Sequence, residues 1–129
     1  GVGQIRSTEV RERCYKMASE LGFECPVIVS PKATVSKHCK IGLGTIIFHG
    51  AIVNASSEIG VCNIINSRAL LEHDVKIGDF SHISTGVIVN GASVVGDRCF
   101  VGSGSVLTNN LTMSSNSFVK SGSIVTQNS

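Results

Sequence analysis

Residues 53–101 read VNASSEIGVCNIINSRALLEHDVKIGDFSHISTGVIVNGASVVGDRCFV, and every sixth residue of this run, starting at Val53, is a large aliphatic one. The same period extends in both directions, so that seventeen positions from Val29 to Val125 are each Val, Ile, Leu or Met. Hydrophobic residues of all kinds make up only 42% of the chain, so an unbroken run of this length is not a chance result. The seventeen positions are Val29, Val35, Ile41, Ile47, Val53, Ile59, Ile65, Leu71, Ile77, Ile83, Val89, Val95, Val101, Leu107, Met113, Val119 and Val125.

A six-residue period belongs neither to an α-helix, which repeats about every 3.6 residues, nor to a lone strand, which repeats about every 2. It is typical of a parallel β-helix, in which each hexad supplies one short strand and one bend. Four residues after each aliphatic position stands a small or medium-sized residue, with Leu111 as the exception. We expect the aliphatic residue to point inward and the smaller one to fill the corner.

Three hexads make one triangular coil of 18 residues, and glycines recur at this longer period. One series consists of Gly42, Gly60, Gly78 and Gly96, and another of Gly86, Gly104 and Gly122. Glycine at one place in every coil indicates a bend that needs unusual backbone angles or the close approach of a neighbour. The sequence therefore predicts an all-β, single-stranded parallel β-helix of about five to six coils.

An N-terminal helix is predicted over residues 7–22, with Ser7 or Thr8 as its cap and Gly22 as its end. Val10, Cys14, Met17, Ala18 and Leu21 share one face at helical spacing, and this face should dock on the β-helix, on a second subunit or on a missing segment. Residues 1–6 resemble the end of a strand with its loop. We expect residues 1–24 to be the remnant of an α/β subdomain of a longer parent, and residues 25–129 to form the β-helix domain.

Composition limits the classes of partner. The net charge is +2 with 16% charged residues, and the N-terminal basic residues are interleaved with Glu9, Glu12, Glu20 and Glu24. This mixture favours a solvated surface over an anion site, and nothing supports nucleic-acid binding. The five cysteines include no C-x-x-C spacing, which indicates a reducing cytoplasm. No apolar run is long enough to cross a membrane, and no signal peptide is visible.

His73 is the most promising chemical group, because it stands in Glu72-His73-Asp74 at an outward hexad position. An adjacent carboxylate can fix the tautomer of the ring and strengthen its other nitrogen as a base. The alternative is a solvent-exposed histidine in a charged turn. His82 also points outward, and by itself it is typical of a surface residue. The histidine spacings do not fit a metal site, and no nucleophile elbow is present.

The chain resembles hexapeptide-repeat acyltransferases, whose triangular prisms are left-handed although most parallel crossovers are right-handed. The matching residues run from Asn66 to Ile83 and read NSRALLEHDVKIGDFSHI, followed by Gly86, Asn90-Gly91, Val95-Gly96 and residues 99–102. The His-acid pair followed by Ile-Gly-Asp-Phe-Ser-His is similar to the sugar O- and N-acetyltransferases of the sialic acid and bacillosamine group, the NeuD/PglD-like family. The resemblance covers about residues 5–127.

This resemblance implies an acetyl-CoA-dependent acetyltransferase that modifies an amine or hydroxyl of a sugar or nucleotide sugar. His73 would be the general base and Asp74 would raise its basicity. His82, Gly91, Ser103 and Ser121 would contact the acetyl-CoA, with no metal involved. The Gly91 N–H would meet the thioester carbonyl, and only backbone contacts are expected at the two serines. The active sites would lie between the subunits of a homotrimer.

Two departures from that family stand out. Its members usually begin with an α/β domain, and they usually end with a Gly-x-Pro-Ala-Lys/Arg-like tail; neither is expected here. The alternatives to an active enzyme are therefore a non-catalytic trimeric scaffold or binding protein, or a degenerate truncated acetyltransferase. An ice-binding prism would need flat outward rows of Thr, and the outward positions are mixed.

Overall fold

The hexads fold as short strands. In the computed structural model, which describes residues 7–129, seventeen two-residue strands follow one another, and each ends on one of the seventeen aliphatic positions. Consecutive strands belong to different sheets, and each strand pairs in parallel with the strand 18 residues away, as in Ile28 with Ile46. The result is a three-sided left-handed β-helix, called the prism below, and the predicted fold is confirmed.

The strands form three sheets, one for each side of the prism. The first sheet contains β1 (Ile28–Val29), β4 (Ile46–Ile47), β7 (Ile64–Ile65), β10 (His82–Ile83), β13 (Phe100–Val101) and β16 (Phe118–Val119). The second sheet contains β2 (Thr34–Val35), β5 (Ile52–Val53), β8 (Leu70–Leu71), β11 (Ile88–Val89), β14 (Val106–Leu107) and β17 (Ile124–Val125). The third sheet contains β3 (Lys40–Ile41), β6 (Glu58–Ile59), β9 (Lys76–Ile77), β12 (Val94–Val95) and β15 (Thr112–Met113).

Three columns of bends connect these sheets. The first corner leads from the first sheet to the second and comprises residues 30–33, 48–51, 66–69, 84–87, 102–105 and 120–123. The second corner leads from the second sheet to the third and comprises residues 36–39, 54–57, 72–75, 90–93 and 108–111. The third corner leads back to the first sheet and comprises residues 42–45, 60–63, 78–81, 96–99 and 114–117.

The core is the stack of inward aliphatic side chains. From Ile47 to Met113 these residues are buried, whereas Val29 in the first coil is 41% exposed because no coil lies beneath it. The smaller residues of the corners, such as Ala51 and Ser57, are buried as predicted, and so is the exception Leu111. Alternation along each two-residue strand places its first residue on the outside of the prism.

Buried polar residues at the third corner hydrogen-bond from coil to coil. The Ser81 hydroxyl donates to the Gly96 carbonyl over 2.8 Å and accepts the Cys99 N–H over 2.9 Å. Thr45 and Asn63 make equivalent bonds lower in the same column. Cys99, predicted only as a small filler, also directs its thiol at the Ser114 carbonyl at 3.2 Å. These bonds satisfy polar groups that burial would otherwise make costly.

The two glycine series have different physical causes. A Cβ on Gly60 would lie 2.5 Å from the Gly78 carbonyl oxygen, so the first series allows coils to approach closely. Gly86 has a φ of +69° with nothing within 4 Å of a built Cβ, so the second series supplies a left-handed bend. Both explanations offered by the 18-residue period therefore apply, each at its own corner.

The helix α1 spans Glu9–Glu20, and Leu21 is its C-cap. Gly22, whose φ is +81°, turns the chain away from the helix axis. Thr8 is the N-cap, but its side chain contacts Glu12 and caps no backbone N–H. Only one edge of the predicted apolar face meets the prism. Cys14 and Ala18 line a cavity together with Ile46 and Ile64, whereas Val10, Met17 and Leu21 are exposed.

The side of α1 next to this face makes the contact with the prism. Arg11 Nη1 donates to the Cys62 carbonyl over 2.9 Å, and the Tyr15 ring meets Phe80 edge-on at 5.7 Å. The prediction for residues 1–6 lies outside the described residues, and the division at residue 24 stays a prediction.

Candidate functional site

His73 lies at the second corner, in the bend between β8 and β9. Its Nδ1 is 2.9 Å from Asp74 Oδ2, and the two side chains are 68% and 59% exposed. Asp74 has a φ of +61°, a left-handed conformation that Asp adopts more readily than most residues. Its N–H donates to the Ala55 carbonyl of the coil below over 3.1 Å, which anchors the bend. A proton held on Nδ1 by the carboxylate leaves the Nε2 lone pair available as a base.

Gly91 lies one coil above His73 at the same corner. A Cβ built on Gly91 would be 3.0 Å from His73 Cε1 and 3.2 Å from Nε2, so the imidazole packs directly against the glycine backbone. The Ala92 N–H holds the His73 carbonyl at 3.1 Å. Among residues 7–129, no protein acceptor receives the Gly91 N–H. The structure therefore brings together His73, Asp74 and Gly91 from the predicted site.

A cavity of about 370 Å³ opens around this histidine. Its lining consists of Glu72, His73, Asn90, Gly91, Ala92, Asn109 and Asn110. Asn54 Nδ2 donates to Glu72 Oε2 over 3.0 Å, which fixes the second carboxylate beside the imidazole. The amides and carboxylate offer both donors and acceptors, which suits a polar ligand such as a sugar.

A larger cavity lies between α1 and Phe80, with a volume of about 610 Å³. Its other lining residues are Glu9, Glu12, Arg13, Tyr15 and Lys16. Four of these residues are charged side chains of α1, and the lining contains no histidine. We therefore place the candidate site at the smaller cavity, where an acid–base pair is present.

His82 stands on the first sheet, away from the corner that holds His73. Its Nε2 lies 3.2 Å from Asn66 Nδ2 at the first corner. Its ring meets Phe100 edge-on at 5.3 Å, and Phe100 stacks on Phe118 at 5.1 Å. The histidine thus begins an aromatic row that runs up the outside of the first sheet.

Ser103 and Ser121 occupy the first corner, on exposed bends. The Gly122 N–H donates to the Ser103 carbonyl over 2.9 Å, and a Cβ on Gly102 would be 2.4 Å from the Ser121 nitrogen. Within one chain, the second sheet separates these serines from His73 and Gly91. The predicted cofactor residues therefore fall on two different edges of the prism, and one chain does not bring them together.

Two partners of His82 escaped the sequence analysis. Asn66 and Phe100 both belong to the stretches that carry the family resemblance, but the sequence predicts no role for either residue. The 18-residue period of the outward positions could have identified Phe100, because residues 82, 100 and 118 form one row of the first sheet. The hydrogen bond from Asn66, 16 residues before His82, follows from no periodicity.

The cysteines and the histidines give no metal centre. No group of three or more His, Cys, Asp or Glu side chains within residues 7–129 is arranged to hold a metal ion. All five cysteines have free thiols. Burial, followed by the negative charge of a neighbouring Cys25, raises the pKa of Cys62 to about 11.

Among the helices of the described chain, none is both long and apolar enough to span a membrane.

Comparison with known proteins agrees with this architecture. Residues 74–109 match the family described as bacterial transferase hexapeptide (six repeats), and this match includes Asp74 and Gly91. No curated protein matches the chain. The chain is therefore similar to this family over those residues, and it shares its fold with the acetyltransferase domain of PglB and with PerB.

Two solved structures define this likeness more narrowly. The acetyltransferase domain of PglB from Neisseria gonorrhoeae FA1090 is 29% identical, with a TM-score of 0.93. The same domain has also been solved in complex with acetyl coenzyme A. PerB from Caulobacter crescentus, solved with CoA and GDP-perosamine, has the same identity and TM-score. In each comparison 96% of this chain is covered, and the chain spans 60% of the length of the solved one.

Proposed function

We propose that this protein transfers an acetyl group from acetyl-CoA to an amine or hydroxyl of a nucleotide sugar, with His73 as the general base. The observation that carries the proposal is the contact of His73 Nδ1 with Asp74 Oδ2 at 2.9 Å, beside the Gly91 backbone. Support also comes from the likeness to PglB and PerB, since PglB has been solved with acetyl-CoA and PerB with CoA and a nucleotide sugar.

In the proposed chemistry His73 takes a proton from the acceptor and returns it to the leaving group. Acetyl-CoA supplies an activated thioester carbonyl. Asp74 accepts the Nδ1–H of His73, so Nε2 takes the proton from the acceptor amine or hydroxyl as its nitrogen or oxygen bonds to that carbonyl carbon. The carbon–sulfur bond then breaks, the proton passes from Nε2 to the sulfur, and CoA leaves as the thiol. The Gly91 N–H donates to the oxygen that gains negative charge, an interaction that is stronger in the transition state than in the ground state.

The proposed acetyl-CoA contacts lie on two edges of the prism, which requires a second subunit. His73 and Gly91 belong to the second corner, whereas Ser103 and Ser121 belong to the first. A homotrimer in which the second corner of one prism faces the first corner of its neighbour would bring both sets to one groove. His82, on the first sheet beside Asn66, would face the same groove.

The outward rows of two sheets support such an assembly. The row on the first sheet is Ile28, Ile46, Ile64, His82, Phe100 and Phe118. The row on the second sheet is Thr34, Ile52, Leu70, Ile88, Val106 and Ile124. Both rows are almost entirely apolar, whereas the third sheet presents Lys40, Glu58 and Lys76. Burial of apolar surface between copies of the chain would stabilise the trimer.

We place the protein in the cytoplasm, where acetyl-CoA and reduced thiols occur together.

The decisive experiment measures thiol release from acetyl-CoA with amino-sugar nucleotides as acceptors. His73→Ala should lose a factor of about 10² to 10⁴ in kcat, the usual contribution of a general base. His38→Ala is the matched control, because His38 is an exposed histidine at the same corner two coils lower. Full activity of His73→Ala would show that His73 is not the base. A trimeric sample that neither binds acetyl-CoA nor releases thiol would support a non-catalytic scaffold.

A further inference from the structure

The first corner carries an unusual distribution of charge. Its bends hold Lys32, His49, Arg68 and Lys120, and among residues 30–33, 48–51, 66–69, 84–87, 102–105 and 120–123 there is no Asp or Glu. The strands of the two adjoining sheets carry none either. The nearest carboxylates along the chain belong to the other two corners and the third sheet. A basic edge between two apolar walls concentrates positive potential and attracts anions.

Three basic residues of this corner lie in or next to the column that contains Gly50. Lys32, Gly50 and Arg68 stack in one column of the corner, and the Gly50 N–H donates to the Lys32 carbonyl over 3.0 Å. Two coils separate Lys32 from Arg68, a rise of about 10 Å. Gly50 between them has no side chain, and its built Cβ would lie 3.2 Å from Arg68 Cγ, so the arginine stem passes over the glycine. We call the space bounded by Lys32, His49 and Arg68 the Gly50 notch.

His49 contributes an oriented donor to this notch. Ser30 Oγ contacts His49 Nδ1, and the same oxygen accepts the Lys32 N–H over 3.1 Å. In one of the two neutral tautomers of His49, Ser30 Oγ donates its own proton to Nδ1. The neutral imidazole then carries its proton on Nε2 and is a hydrogen-bond donor on its other side.

Neither cation of the notch has a carboxylate partner among residues 7–129. The ion pairs of the described residues join Lys40 and Lys76 to Glu58 on the third sheet, and they leave Lys32 and Arg68 without a carboxylate partner. The acidic residues that interleave with basic ones in the sequence, Glu9, Glu12 and Glu20, lie on α1. The helix keeps the mixed charge predicted from the N-terminal sequence, since it also carries Arg13 and Lys16, whereas Lys32 belongs to the basic edge.

We infer that the Gly50 notch binds a phosphoryl group of the reaction's substrates. A guanidinium, an ammonium and an imidazole N–H are the groups that bind phosphate oxygens by charge-assisted hydrogen bonds. The inference rests on the proposed function, since that reaction offers two sources of phosphoryl groups: the diphosphate of a nucleotide sugar and CoA. Arg68 lies in the same coil as His73, at the opposite edge of β8. A ligand crossing from the first corner of one prism to the second corner of its neighbour would have its phosphates at the notch and its acceptor group at His73.

The test is titration calorimetry of the intact chain with inorganic pyrophosphate, GDP, UDP and CoA in turn. Arg68→Gln and Lys32→Gln should each weaken the binding of phosphoryl ligands about tenfold, the usual effect of losing a charge-assisted hydrogen bond. Lys40→Gln, which removes one positive charge from the third sheet, is the matched control and should change no affinity. Because Arg68 and Lys32 are exposed, all three variants should keep the circular dichroism of the parent.

The ligands distinguish the two sources. A loss confined to pyrophosphate, GDP and UDP assigns the notch to the acceptor, and a loss confined to CoA assigns it to the coenzyme. Equal affinities of Arg68→Gln, Lys32→Gln and the parent for all four ligands would overturn the inference, as would a parent that binds none of them. Thiol release is measured separately, so an inactive parent that still binds GDP through Arg68 would contradict the proposed function and leave the notch intact.

Discussion

At position 91 the absence of a side chain makes room for an imidazole. The His73 ring lies so close to the Gly91 backbone that an added Cβ would be 3.0 Å from Cε1. The other side of the ring is fixed by Asp74, at 2.9 Å from Nδ1. The Gly91 backbone on one side and the Asp74 carboxylate on the other therefore leave the His73 ring little rotational freedom, although its side chain is 68% exposed. Orientation of this kind is what a general base requires.

Gly91→Ala should consequently reduce kcat while leaving the fold intact. The new methyl group must push the imidazole away from its present position, and displacement of a reacting group by about 1 Å costs on the order of 10²-fold. Steady-state kinetics with acetyl-CoA would measure the loss. Ala55→Ser is the matched control, since residue 55 occupies the same corner position one coil below His73. Wild-type kcat in Gly91→Ala would show that the contact with His73 has no role in catalysis.

The Cys62 thiol gives a second prediction, for stability at alkaline pH. Burial raises its pKa from 9.0 to about 11 in the folded chain. Between these values the unfolded chain loses the proton and the folded chain keeps it, so the unfolded state binds fewer protons. Stability should therefore fall as the pH rises from about 9 to 11. Urea unfolding at pH 8, 9 and 10 should show a steeper decline for the parent than for Cys62→Ser, and identical slopes would contradict the assignment.

Among elements, the two glycine columns are the most informative, because each solves a different steric problem. At Gly60 a Cβ would meet Asp79 Oδ1 at 2.0 Å and the Gly78 carbonyl oxygen at 2.5 Å. That column allows the coils to approach one another, and Asp79 Oδ1 bonds the Val61 N–H at 2.9 Å beside it. At Gly86 the space is empty and only the φ of +69° opposes a side chain.

Alanine at these two positions should therefore have unequal costs. Gly86→Ala should lose about 1–2 kcal/mol, the cost of a left-handed conformation in a residue with a Cβ. Gly60→Ala should lose more, about 3 kcal/mol or above, because the neighbouring backbone must move to relieve the overpacking. Urea denaturation of the two variants would measure the difference. Equal losses would mean that the coil spacing relaxes easily, contrary to the close contacts at Gly60.

The strands could be predicted from sequence because their signal is local and repeated. Every inward residue from Val29 to Val125 was identified by its spacing alone. The docking of α1 could not be predicted in this way, because its most apolar residues, Val10, Met17 and Leu21, are not the ones that contact the prism. Arg11 and Tyr15 dock instead because their partners, the Cys62 carbonyl and the Phe80 ring, are set by the coil that carries them.

The arrangement of the candidate site could likewise be predicted only in part from the sequence. The His73–Asp74 pair is adjacent in sequence, and its contact with Gly91 follows from the 18-residue coil. The Gly50 notch was not predicted, because Lys32, His49 and Arg68 are far apart in sequence and only the stacking of coils unites them. A count of charges along the chain mixes Lys32 with the glutamates of α1, and the structure separates them.

At the scale of the whole molecule, the three sides of the prism differ in chemistry. The first and second sheets present aliphatic and aromatic rows to the outside, and Ile124 and Phe118 are 73% and 42% exposed in the single chain. The third sheet presents charged residues, with Glu58 between Lys40 and Lys76 at 3.9 and 3.7 Å. In the first-sheet row Ile64 is only 7% exposed, and it lines a cavity with Arg11 and Tyr15 of α1. The exposed parts of the two rows indicate surfaces that are covered in the working protein.

A charge on one of the apolar rows should therefore separate the subunits of the proposed trimer. Ile88 lies on the outside of the second sheet, between Leu70 and Val106 in neighbouring coils. Ile88→Glu should place three carboxylates in apolar contacts, a cost of several kcal/mol for each charge that stays buried and unpaired. Sedimentation or light scattering should then report a monomer, and thiol release should fall with it because each groove needs two subunits.

The third sheet supplies the matched control for this prediction. Val94 is also an outward strand residue, stacked on Lys76, and Val94→Glu places its carboxylate beside an existing ammonium group on the charged side of the prism. It should remain trimeric and active. If Ile88→Glu stays trimeric, the second sheet is not an interface, and the two edges that carry His73 and Ser103 cannot share a groove in the way proposed. If both variants become monomers, the third sheet also contributes to the assembly, and the division into two apolar sides and one solvated side is wrong.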